Sequence, residues 1–256
     1  MHFTPIFLVS LVGLASLASL VRAAHEFVVR NWCEQPVWVG ILSNGGVSTL
    51  PMNGGFLLNS GMRKNFTTPV SWGGRLWGRT GCDASGQHCE TGDCGALQCN
   101  GAGGAPPVSL AEFTLDAPGD FYDVSLVDGY NLPMNIHPIL GTYTGVASAQ
   151  QCGNAGCQNN LLLTCPAVLA QKNAAGKTIA CQSACSAFKT EEFCCSGAHG
   201  TPDTCPPTSY SNVFKAACPR SYAYAYDDAT STYTCNGMAK GMTGYKIIFC
   251  PYPKRV

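Results

Sequence analysis

Apolar residues fall along this chain in short alternating runs, with one longer exception at the start. From Ile6 to Val21 the sequence is almost unbroken in apolar character, diluted by Ser10, Ser16 and Ser19 and halted by Arg22. That run is short for a membrane span, which needs about 20 residues. With small side chains framing Val21-Arg22-Ala23, residues 1–23 read as a cleaved signal peptide, although His2 is the only basic side chain before the run. No second long apolar stretch follows. Residues 24–256 are therefore expected to form one soluble, extracellular domain, and the six residues after Cys250 leave no room for a lipid-anchor tail.

The segment EFVVRNWCEQPVWVGIL holds two β-branched and aromatic runs separated by a turn at Glu34-Gln35-Pro36. Alternation predicts further strands at Arg75–Thr80, Ala111–Asp116, Phe121–Val127 and Gly244–Cys250. Turn signals separate them at Asn44-Gly45-Gly46, Asn53-Gly54-Gly55, Ala117-Pro118-Gly119 and Asp128-Gly129. The expected fold is mainly β, a flattened sandwich or barrel. Two segments break the rhythm. Cys82 to Pro107 is rich in Cys and Gly without apolar periodicity, and reads as a small lobe tied by disulfides. Cys157 to Cys218 carries Ile179, Ala180, Ala184, Ala187 and Phe188 at roughly helical spacing, and reads as a second lobe with a short helix. The β core then comprises about residues 24–81, 108–156 and 219–256.

Composition sharpens this picture. Only 12% of residues are charged, while 29 Gly and 16 Pro favour short elements and tight turns held by cross-links. All 16 cysteines follow residue 23, an even number in an exported chain, so full oxidation is expected. A zinc site is the rival where Cys82, His88, Cys89, Cys94 and Cys99 crowd together, but their gaps fit no paired C-x2-C knuckle. Acidic and basic residues nearly balance, which gives no reason to expect nucleic acid or an anionic membrane as a partner. Asn65-Phe66-Thr67 is a sequon in a polar stretch, an expected N-glycan acceptor.

Several motifs carry a family resemblance: GRLWGRTGC ending at Cys82, CETGDCGALQC (89–99), SLAEFTL (109–115), DFYDVSLVDGYNLPM (120–134), ACQSACSAF (180–188), EFCCSG (192–197), YAYDDATSTYTC (224–235) and YKIIFCP (245–251). Together they resemble the thaumatin-like family, the pathogenesis-related group that includes thaumatin, zeamatin and osmotin, over all of residues 24–256. The resemblance implies the family fold and a disulfide pairing that spacing leaves open: Cys33–Cys250, Cys82–Cys89, Cys94–Cys99, Cys152–Cys235, Cys157–Cys218, Cys165–Cys181, Cys185–Cys194 and Cys195–Cys205. One departure stands out, since the stretch between Cys82 and Cys89 is shorter than the Gly-rich spacer of plant members. Gly86 is the residue on which that hairpin can turn.

The family is also similar in carrying one arginine and four acidic residues around a cleft between the β core and the second lobe. The matching positions are Arg75, Glu112, Asp123, Asp128 and Asp227. Glycoside hydrolysis needs one protonated carboxyl and one ionised carboxylate. Clustered carboxylates raise some pKa values, while a neighbouring arginine keeps another ionised. The resemblance thus implies Glu112 and Asp123 as acid and base, with Arg75, Asp128 and Asp227 binding substrate and tuning the field. The implied substrate is a β-1,3-glucan or another cell-wall polysaccharide.

The residues themselves support part of this. Glu112 alternates with Phe113 and Leu115 and so points away from the apolar face. Asp123 and Asp128 would face opposite sides of a continuous strand, and converge only if the strand ends near Val127 and the Asp128-Gly129 turn swings back. Asp128 also reads as a plain turn residue. Asp228 is expected to bond its own backbone. Tyr122, Tyr130, Tyr222, Tyr224 and Tyr226 read either as sugar-stacking platforms or as core. No G-x-S-x-G motif appears, Cys194-Cys195 read as structural, His137 is expected in a loop and His199 in a turn. Slow hydrolysis, binding without cleavage, perturbation of a target membrane and docking to a receptor all remain open for one acidic cleft. The protein is expected to act as a monomer without cofactor or metal.

Overall fold

The computed structural model of the protein describes residues 24–45, 50–115, 119–141, 148, 150–236 and 242–251. The expected signal segment and parts of the turns at Asn44-Gly45-Gly46 and Ala117-Pro118-Gly119 lie outside those residues. The described strands are β1 (His25–Asn31), β2 (Val37–Ser43), β3 (Gly55–Leu58), β4 (Arg63–Thr68), β5 (Gly73–Arg79), β6 (Leu110–Thr114) and β7 (Asp120–Ser125). There follow β8 (Met134–Ile139), β9 (Ala155–Gly156), β10 (Ala170–Lys172), β11 (Thr178–Cys181), β12 (Tyr233–Cys235) and β13 (Gly244–Phe249). His137 lies on β8, not in the loop expected for it, because β8 continues pairing with β13 through Pro138.

Alternation explains these strands. In β1, His25, Phe27, Val29 and Asn31 are buried while Glu26, Val28 and Arg30 are partly exposed. Two sheets result, one of five strands ordered β4-β1-β13-β8-β9 and one of six ordered β12-β7-β6-β5-β2-β3. The two runs on either side of Glu34-Gln35-Pro36 therefore enter different sheets. β1 instead lies parallel to β13, from Glu26 opposite Gly244 to Asn31 opposite Phe249. Between the sheets sits a shared apolar core. Phe27 and Tyr245 from the five-stranded sheet meet Phe113 and Tyr122 from the other, with ring centroids 5.0 Å apart for Phe27–Phe113 and for Tyr122–Tyr245. Each such buried side chain contributes about 1.5–3 kcal/mol. The architecture is the expected β sandwich with two excursions.

All sixteen cysteines pair, in the connectivity the resemblance implied, from Cys33–Cys250 through Cys195–Cys205. In the small lobe the shortened hairpin turns on Gly86, whose φ of 76° suits glycine. This lobe has no regular strand or helix of its own among the named elements. A fully buried arginine supports it. Arg79, at the end of β5, donates to the Gly86 carbonyl at 3.1 Å, to Leu97 at 2.7 Å and to Ala96. The Trp77 indole donates to the Gly92 carbonyl at 2.9 Å and forms a small second core with Cys99, Val108 and Leu110.

The second lobe differs from its expected outline. Ile179 and Ala180 belong to strand β11, paired with β10, and the helix α1 begins only at Ala184 and runs to Phe188. Ser183 caps it, accepting from the Ser186 N–H at 3.1 Å, which separates strand from helix within the apparently periodic run. A short α2 (Glu191–Cys194) follows, then α3 (Ser209–Ala217), the longest helix described. α3 starts in a capping box between Thr208 and Ser211. The lobe therefore holds three α-helices where one helix was expected. A fourth short helix, α4 (Asp228–Ser231), lies beyond it.

Candidate functional site

The inner face of the six-stranded sheet is core, so its outer face must be covered or used. The small lobe covers it over Trp77 and Leu110. In the next row the sheet is open. There β5, β6 and β7 lie side by side, and their register puts Arg75 opposite Glu112 and Glu112 opposite Asp123. One strand position on each of three neighbouring strands thus supplies a guanidinium and two carboxyls on one face. Like charges directly opposite each other destabilise a sheet. No packing need explains the Glu112–Asp123 pair.

These residues line a cleft of about 420 Å³, together with Leu110, Ser125, Val127, Asp128, Tyr222, Ala225 and Asp228. β7 ends at Ser125, and Gly129 donates to the Leu126 carbonyl at 2.9 Å to close a turn. That turn brings Asp128 onto the same side as Asp123, the convergence that the five-residue spacing required. Gly129 has φ 97° and packs where a Cβ would lie 2.7 Å from Pro107, so a side chain there would displace the turn.

Electrostatics separate the two central carboxyls. Arg75 Nη1 lies 3.8 Å from Glu112 Oε1, both side chains a little over a third exposed. Burial pushes Glu112 upward and the Asp128 charge adds to that, against the Arg75 guanidinium and the Ser125 hydroxyl. Asp123 has no such support. Burial first, then the charges of Glu112 and Asp228, push it up to about 8, so it carries a proton at neutral pH. Its Oδ1 and the Arg75 Nε are buried without hydrogen-bond partners among the described residues.

Of the five residues carried over, four meet in this cleft and one does not. Asp227 Oδ2 accepts from Lys215 Nζ at 2.8 Å and from the Ala223 N–H at 3.0 Å, and its Oδ1 accepts from the Thr230 hydroxyl at 2.9 Å. These donors turn it away from the cleft and tie α3 to α4. Its neighbour Asp228 takes the cleft position, accepting from the Tyr222 hydroxyl at 2.8 Å. The expectation for Asp228 is corrected accordingly. Tyr222 is also bonded to Thr232, and its backbone bridges to β7 through Val124 and Leu126. Of the other tyrosines, Tyr122 and Tyr130 are buried core, Tyr224 lines a separate small cavity under α3, and Tyr226 donates to the Gly200 carbonyl. Asn65 is exposed on edge strand β4, with its amide donated to Glu26 at 3.0 Å.

No group of three or more His, Cys, Asp or Glu side chains among the described residues is arranged to hold a metal ion. The arrangement suits proton transfer in a polar cleft: one carboxyl that keeps its proton, one facing an arginine, and hydroxyl and carboxylate groups around them.

Comparison with known proteins agrees with the motifs. The thaumatin family profile matches residues 31–251. A pathogenesis-related thaumatin-like protein 3.5 of Cryptomeria japonica is 51% identical over 93% of this chain and 97% of its own. A protein of Prunus avium named glucan endo-1,3-beta-glucosidase is 46% identical over 89% of this chain and 92% of its own. Among solved structures, a laminaripentaose-producing β-1,3-glucanase in complex with laminaritetraose aligns over 89% of this chain and 99% of its own at a TM-score of 0.56. At 11% identity that likeness concerns the fold alone.

Proposed function

This chain belongs to the thaumatin family, and from that premise we propose that it is an exported defence-type protein whose acidic cleft binds β-1,3-glucan and cleaves it slowly. The observation that carries the proposal is the row Arg75, Glu112 and Asp123, set opposite one another on three strands, where burial and the facing carboxyl push Asp123 up to about 8. With the implied roles exchanged, Asp123 serves as the acid, donating to the glycosidic oxygen as the bond breaks. Glu112, raised by burial but less protected from ionisation than Asp123 because Arg75 opposes that rise, acts on the anomeric carbon or on water from the other side. Asp128, Asp228 and the Tyr222 hydroxyl are placed to hold sugar hydroxyls. Export fits eight disulfides, which persist in oxidising compartments, and a glycan on Asn65 would stand well away from the cleft.

Reducing-end release from a linear β-1,3-glucan tests the reading. The wild type releases ends slowly, and Glu112→Gln and Asp123→Asn each lower the rate about 100-fold or more. Release also falls as pH rises through about 8, where Asp123 loses its proton. Both variants still pull down on insoluble glucan, because hydroxyl contacts survive. Equal background release by all three proteins would leave a non-catalytic glucan binder; loss of pull-down as well would end the glucan reading.

A further inference from the structure

The balanced total charge hides a segregation. The outer face of the six-stranded sheet is acidic, while the outer face of the five-stranded sheet is basic. Register gives the outward positions of its four long strands: Arg63, Asn65 and Thr67 on β4; Glu26, Val28 and Arg30 on β1; Gly244, Lys246 and Ile248 on β13; Asn135, His137 and Ile139 on β8. Arg30 lies directly opposite Arg63, and Lys246 directly opposite His137. The Arg30–Arg63 pair opposes sheet stability, and Lys246 disfavours a charge on the His137 facing it. Arg30, Arg63, Lys246 and nearby Arg220 make no ion pair among the described residues. Glu26, the one carboxylate in these outward positions, is engaged by Asn65.

Charged residues often protect a sheet edge from pairing with another chain. That accounts for Arg63 on edge strand β4. It does not account for Arg30, Lys246 or His137, which sit on the interior strands β1, β13 and β8. Between the cations Val28 is partly exposed, while Ile248 and Asn135, outward by register, are buried. Strands lie about 4.8 Å apart, so the cations extend for roughly 15 Å across the sheet. The Arg30 guanidinium lies 5.6 Å from the ring centroid of Trp32, a flat aromatic surface that is 38% exposed.

We propose that the outer face of the five-stranded sheet is a second binding surface, for a linear anionic polysaccharide of the polyuronate class. Arg63 and Arg30 meet its carboxylates at one end, Lys246, His137 and Arg220 at the other, and Trp32 offers a sugar ring a stacking face. A spaced row of cations over a low floor suits an extended chain. A bilayer would need protruding apolar groups across the face, and the large exposed ones stand at its ends, Trp32 and Met62 beside Arg30 and Arg63 and Leu140 just past β8. The surface is independent of the acidic cleft and of what that cleft binds.

His137 is a built-in reporter. Burial, then the Lys246 and Arg220 charges, hold its pKa below the ordinary histidine range. A bound carboxylate opposes those charges and raises it, so binding tightens as falling pH protonates the ring.

The test uses end-labelled polygalacturonate and the full protein without a glycan on Asn65, which lies on this same face, followed by fluorescence anisotropy. The wild type binds at low salt, releases at high salt, and ignores the fully methyl-esterified polymer, which has lost its charge. Arg30→Gln/Arg63→Gln weakens binding about tenfold. Lys246→Gln weakens it less, and Glu26→Gln strengthens it. The His137 ring resonances titrate at higher pH with polymer present. These positions lie on the surface, and near-UV circular dichroism checks that the variants fold. Equal affinity of the double variant, equal binding of the esterified polymer, or binding of phosphatidylserine vesicles without binding of polygalacturonate would overturn the proposal.

Discussion

Asp120 and Asp227 are met by donors, whereas Glu112 and Asp123 are set against each other. Asp120 Oδ2 is hydrogen-bonded to His25 Nε2 at 3.0 Å and to the Tyr245 hydroxyl at 2.7 Å, all inside the sandwich. Asp227 holds Lys215, Ala223 and Thr230. Across the six-stranded sheet, Asp123 instead has one buried oxygen without a partner and a neighbouring charge on each side. Acidic side chains serve structure in the first pair, whereas in the second burial and a facing carboxyl keep the proton on Asp123. Such a perturbed carboxyl marks a place where folding alone does not dictate the residue.

Substitutions that exchange these roles test the contrast. Asp227→Ala should cost about 2–4 kcal/mol, because Lys215 is left partly buried without its carboxylate. Denaturant unfolding under oxidising conditions measures this, and a loss below about 0.5 kcal/mol would erase the distinction between the two groups.

Asp123→Asn should act in the opposite direction, stabilising the protein by about 1–3 kcal/mol at pH 8. A carboxyl whose pKa is higher in the folded than in the unfolded state destabilises folding as pH rises between the two values. The gain should therefore vanish near pH 4, grow as pH rises toward about 8, and level off above it, once Asp123 has lost its proton. Unfolding curves at intervals across that range would show a flat difference if the carboxyl were not buried against its neighbours.

The smallest effect belongs to Asp228→Asn, within about 0.5 kcal/mol of wild type. The neutral amide still accepts from Tyr222, but one of the charges raising Asp123 is gone. Carbon-13 NMR of the Asp123 carboxyl should find its midpoint moved down. An unmoved midpoint would detach Asp228 from the cleft.

The pair Asp227-Asp228 also shows where sequence reading stops. Nothing local distinguishes two adjacent aspartates. The donor that claims the first is Lys215, twelve positions earlier on α3. By contrast, the outward face of Glu112 was legible from its alternation with Phe113 and Leu115, whereas Asp123 entered only through the family resemblance. Strand alternation predicted both terminal runs, but not that β1 and β2 part into different sheets, because pairing depends on β13 more than two hundred residues away. The missed helix α3 did carry a signal, with Thr208 and Ser211 at capping-box spacing before Tyr210, Val213, Phe214 and Ala217. A stronger-looking run at Ile179–Phe188 masked it, although Ser183 divides that run into strand and helix. Arg79 gave no sign of its role, since its partners are carbonyls in a loop.

The parallel seating of β1 against β13 has a consequence for synthesis. A chain made from its N-terminus exposes His25–Asn31 early, yet the central neighbour of that strand does not exist until Phe249 is free. The five-stranded sheet cannot close during translation, and Cys33 must wait for Cys250 while fourteen other thiols emerge between them. Any bond that Cys33 forms before then must be exchanged when the final strand arrives.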